Sequence, residues 1–212
     1  MKVSIALKSL LGAGALTLPL LAFSESNVQT GAATASPGAT AHLDFSIVIP
    51  KILYLRVGTG SAYTTGALTS ISTVDLITFS PAAGTVGNGT AVAGTGGDLT
   101  GGVETAAIVS NSGNVTLNAT ASGALTDTTT DTIPFTQITT AATTLTSSTA
   151  LPAPVLSNGT SSNVVLTAPA TKVILQDAKW TYSYANTSNV PAGTYGGVNT
   201  NNSRVVYTAT MP

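Results

Sequence analysis

The feature that most constrains this chain is a period of two. Apolar side chains recur at alternate positions over short stretches, and Gly, Asn, Ser or Pro ends each stretch. Ala41, Leu43, Phe45, Ile47 and Ile49 alternate with His42, Asp44, Ser46 and Val48. Near the other end, Val205, Tyr207, Ala209 and Met211 alternate with Arg204, Val206, Thr208 and Thr210. Successive strand side chains point to opposite faces, so this pattern predicts strands with one face turned to a core. Further strands are expected at Ile52–Val57, Thr73–Phe79, Glu104–Ser110, Asn114–Ala121, Asn163–Thr167, Lys172–Leu175 and Lys179–Tyr184. A short edge strand is expected within 131–139, where Pro134 cannot donate to a ladder. Residues 80–102 and 122–131 read as loops, and the Thr- and Ser-rich stretch 139–150 carries no helical stripe. The expected fold class is all-β, an antiparallel β-sandwich.

The N-terminus departs from this pattern. Lys2 and Lys8 form a basic start, Ser9 to Phe23 is uncharged and mostly apolar, and Ala22 and Ser24 are small residues around a cleavage point. This predicts a signal peptide over 1–24. Its apolar run is shorter than the roughly 20 residues a membrane helix needs, so no membrane span is expected once it is removed. Residues 25–40 read as a flexible leader, and 41–212 as a single β-sandwich domain. The expected destination is outside the cytoplasm, at the cell surface or in the extracellular space.

Charge enters when chemistry is considered. Only 7% of residues are Asp, Glu, Lys or Arg, against about 25% in ordinary soluble domains. Removal of Lys2 and Lys8 leaves acidic residues in excess, so no basic stripe for nucleic acid is expected. The chain has no cysteine and one histidine. His42 and Asp44 share a strand face but fall short of a metal ligand set, and Asp127 and Asp131 are too few for a calcium loop. There is no GxSxG elbow and no phosphate-binding glycine loop. No catalytic residue, metal or cofactor is therefore expected, and the chain reads as a non-enzyme. Trp180, Tyr182 and Tyr184 share one strand face. Exposed, they would form a platform for sugar rings in a monomeric carbohydrate-binding or adhesive module; buried, they are core.

The layout resembles that of secreted bacterial pilin-type subunits and related surface-fibre β-sandwich proteins. The resemblance rests on the signal peptide, the small-residue leader and the alternating strand after it (Leu43, Phe45, Ile47, Ile49). It rests also on the terminal segment PAGTYGGVNTNNSRVVYTATMP, with Val205, Tyr207, Ala209 and Met211 on one face. It implies an Ig-like sandwich completed by an N-terminal donor strand from another copy, a form of β-strand addition. It further implies export through the periplasm, self-association or partnership with other fibre subunits, and a periplasmic chaperone. The expected function is that of a structural protein of an extracellular fibre, pilus or biofilm matrix.

Overall fold

The computed structural model describes residues 26–33, 38–64 and 68–212. The expected signal peptide lies outside the described residues. The chain divides into two units, one up to Ile49 and one from Pro50 to Pro212. In the first, no described residue belongs to a helix or strand, and all are exposed. The strand expected at 41–49 is therefore corrected. Alternation supplies an apolar face, but a strand also needs a neighbour for its main-chain groups, and a lone one is not stable in water.

The second unit is an antiparallel β-sandwich. Its strands are β1 (Leu53–Val57), β2 (Ile77–Phe79), β3 (Val92–Gly96), β4 (Val103–Ser110), β5 (Val115–Ala121), β6 (Leu125–Thr126), β7 (Thr132–Ile133), β8 (Ile138–Thr143), β9 (Val164–Leu166), β10 (Ile174–Tyr184) and β11 (Val205–Thr210). The larger sheet runs β1-β4-β10-β3-β2, with β8 on the other edge of β10. The smaller sheet runs β11-β5-β9, and β6 and β7 form a separate pair. Among the described residues, no helix is long and apolar enough to cross a membrane.

The core lies between the two sheets. Ala106 and Ile108 of β4 and Ala178, Trp180 and Tyr182 of β10 cluster with Val115, Leu117, Ala119 and Ala121 of β5. Phe135, Leu151 and Leu156 close it from the loops. Trp180 is wholly buried, and its indole N–H donates to the Leu151 carbonyl at 2.8 Å. That bond removes the cost of burying the ring's one polar group. The Trp180 ring lies 5.4 Å from the ring of Tyr207, whose hydroxyl pairs with that of Tyr182 at 2.9 Å.

Five elements differ from expectation. The two strands expected at Lys172–Leu175 and Lys179–Tyr184 are one, because the polar Gln176-Asp177 between them is accommodated. Asp177 is buried, yet accepts from the amides of Thr146 and Ser147 at 2.9 and 2.8 Å and from the Tyr63 hydroxyl at 2.6 Å. Strand β8, in the Thr-rich stretch, has no alternating apolar face because it is an edge strand resting on β10. Strand β3 lies within 80–102, a polar stretch that reads from sequence as loop. A Cβ at Gly94 would stand 2.7 Å from Ile77 Cγ2 and 3.0 Å from Gly102 Cα, so the close approach of the chains selects glycine there. The expected 131–139 strand shrinks to β7 followed by a 3-10 turn at Phe135–Gln137, and the one expected at Thr73–Phe79 begins only at Ile77.

Candidate assembly site

Strands β1 and β11 come close to each other on one flank, from opposite sheets. Each pairs on one side only among the described residues, β1 with β4 and β11 with β5. The hydrogen-bond parity identifies the groups that remain. The Ile52 carbonyl accepts from Asn111 N, and Gly58 N donates to the Thr105 carbonyl. Even-numbered residues of β1 therefore face β4, and the main-chain groups of Leu53, Leu55 and Val57 face the open edge. On β5, Ala119 and Ala121 bond away from β11, to Ser161 and Gly159. Residues Val206, Thr208 and Thr210 thus bond to β5, and Val205, Tyr207 and Ala209 present their main-chain groups to the open edge.

The same residues point their side chains at the core. Leu53, Leu55, Val57, Val205, Tyr207, Ala209 and Met211 pack against it but are only half-buried, whereas the inward residues of β5 are fully buried. The sandwich is thus closed through its middle and open along the β1–β11 flank. Separately, a groove of about 290 Å³ lies between β1 and Thr69, Ser70, Ile71 and Thr73, with no residue of β11 in its lining. One end of the flank is pinned. The Lys51 ammonium donates to the Pro212 carbonyl at 2.9 Å, and the Ser110 hydroxyl reaches Met211 Sδ at 3.6 Å.

The other end of β1 carries the charges. Arg56 Nη2 bonds Asp98 Oδ2 at 2.8 Å, and Asp98 Oδ1 accepts from the Thr105 amide at 2.6 Å. Glu104 is 4% exposed and accepts from the Asp98 amide at 3.2 Å. Burial, aided by the neighbouring Asp75 and Asp98 carboxylates, pushes Glu104 up to about 8. Asp75 itself accepts from the amide and hydroxyl of Thr59. These contacts hold the end of β1 in place. Among the described residues, no group of three or more His, Cys, Asp or Glu could hold a metal ion.

The residues singled out by sequence fall into three places. Leu43, Phe45, Ile47 and Ile49 are 74–86% exposed, so four large apolar side chains at alternate positions lie in water. Val205, Tyr207, Ala209 and Met211 share one inward face along the open edge, as the alternation indicated. Trp180, Tyr182 and Tyr184 are buried, which corrects the alternative of an exposed ring platform for a ligand. The central strand needs their bulk to fill the space between the sheets. Sequence reasoning missed the open edge of β1, because burial along a strand edge is not encoded in the alternation of its faces. It also missed Asn111, whose side-chain bonds to Pro50 and Ile52 no local pattern announces.

No family model matches this chain, nor does any curated protein or solved structure.

Proposed function

We propose that this chain is an exported, non-enzymatic structural subunit that assembles by β-strand addition. Residues 41–49 of one copy lie along the open β1–β11 flank of a second copy. The observation that carries this reading is a match of two unsatisfied surfaces. One is a segment with four exposed apolar side chains at period two. The other is a flank with two unpaired strand edges over a half-covered core. A strand laid into the flank pairs its main-chain groups with the edges and turns alternate side chains inward. Leu43, Phe45, Ile47 and Ile49 are the residues whose parity lets all four enter together.

The scarcity of charge fits the same reading. Exposed edges are usually guarded by lysines, prolines or inward charges. On β1 the outward Arg56 is engaged by Asp98, and β11 has no charged residue. An extracellular fibre, pilus or biofilm matrix is the product such subunits would form, with other fibre subunits as further partners. A periplasmic chaperone is the expected custodian of the exposed segment before assembly.

Electron microscopy and light scattering on the purified chain test the proposal. Wild-type protein is expected to form filaments or large oligomers. Phe45→Asp is expected to leave a monomer with an intact sandwich, because a carboxylate cannot enter an apolar flank unpaired. A wild-type chain that stays monomeric at every concentration would overturn the reading.

A further inference from the structure

We infer that Asn111 is a positioning residue that makes strand addition intermolecular, by preventing 41–49 from folding back onto the open edge of its own β1. This inference rests on the strand-addition reading and names the residue that directs it.

Self-insertion is not forbidden by spacing. Three residues, Pro50, Lys51 and Ile52, separate Ile49 from Leu53, and three-residue loops are common in β-hairpins. A hairpin with that loop would set Ile49 opposite Leu53, Ile47 opposite Leu55 and Phe45 opposite Val57. Residues opposite each other share a face, so the apolar side chains would point inward, as an added strand requires. Pro50 is even a favoured second residue for a type I turn. A chain built this way could complete itself and never assemble.

Asn111 opposes the reversal. Its side-chain oxygen accepts from Ile52 N at 2.8 Å, its side-chain amide donates to the Pro50 carbonyl at 2.8 Å, and its own N–H donates to the Ile52 carbonyl at 3.3 Å. These three bonds extend the β1–β4 ladder back through Pro50, with the same even-residue parity as the strand itself. They occupy Pro50 and Ile52, two of the three residues that would have to turn. Lys51, tied to the Pro212 carbonyl, is held as well. The third loop position of such a hairpin also needs a left-handed residue, normally glycine; here it is the β-branched Ile52, for which that conformation is strongly disfavoured.

The double variant Asn111→Ala, Ile52→Gly removes the clamp and supplies the missing glycine. It is compared with the wild type by light scattering and by hydrogen exchange resolved to 41–49 and to β10. The expected result is a shift of the wild-type oligomers to monomers of the variant, with 41–49 protected in those monomers and β10 protected in both proteins. A variant that assembles as the wild type does overturns the inference but leaves strand addition standing. A wild type that is already a monomer with 41–49 protected also overturns the inference. A wild type that stays monomeric with 41–49 unprotected overturns strand addition itself. If the double variant loses β10 protection, Asn111→Ala alone replaces it; it should raise the monomer fraction at equal concentration, with 41–49 protected, and an unchanged fraction overturns the inference.

Discussion

Ile47 and Val48 make a controlled pair. They are adjacent, aliphatic and almost equally exposed, at 86% and 89%. Exposure alone gives them the same role; parity gives them opposite ones. In an added strand Ile47 enters the flank of the neighbouring copy with Phe45 and Ile49, while Val48 stays in water. Ile47→Ala removes three carbons, each worth about 0.8 kcal/mol on burial. With most of the side chain newly covered, the loss is about 2 kcal/mol per subunit contact, or roughly 30-fold in the association constant. Val48→Ala should change association by no more than about 0.5 kcal/mol, the usual range for an exposed site. Neither change should alter the melting of the sandwich by more than that amount. The measurement is dissociation of assembled protein across a denaturant series, followed by sedimentation, alongside β10 hydrogen exchange for the fold. Equal losses for the two variants would refute the parity argument and leave only nonspecific apolar clustering of the segment.

Three further outcomes follow from the sandwich. Asp177→Ala should cost about 3 kcal/mol in chemical denaturation, since it strands several donors aimed at one buried carboxylate; a change under 1 kcal/mol would contradict that. Those donors hold Asp177 well below the usual carboxylate range although burial opposes them, so its contribution is present above the ordinary carboxylate value and lost as pH falls toward the folded one. Glu104 has the opposite sign. Raised by burial to about 8, it contributes fully below about 4.5 and loses that contribution as pH rises through about 8, so Glu104→Gln should flatten the fall in melting temperature between about pH 5 and 8. The sole tryptophan, Trp180, is buried against Leu151 and Tyr207, so emission should be blue-shifted, inaccessible to acrylamide and unmoved by glycans.

The interior strands were the most legible part of the sequence. β5 reads directly, because its seven residues alternate between buried and half-buried faces. β4 is buried on both faces almost throughout, which no local alternation announces. The sequence pattern breaks β10 around Asp177 because the partners that make its burial tolerable come from Tyr63, Thr146 and Ser147, far away in sequence. The candidate site was half legible. The alternation at 41–49 reads equally as a first strand of the sandwich or as a donor strand; in the structure the segment is exposed and belongs to no strand. The open edge could not be read, because openness belongs to the packing of β1 and β11 and not to either sequence.

The segment 41–49 and the open flank are different surfaces of one molecule, and this bears on how growth would stop. A contact between unlike patches has no built-in closure, so every filament would end with one unused flank and, at the opposite end, one unused segment. A chain shortened before Pro50 would keep the flank and lose the segment: it could accept a neighbour but never be accepted by one. A small admixture of such chains would therefore set filament length by stoichiometry, without altering any contact inside the filament.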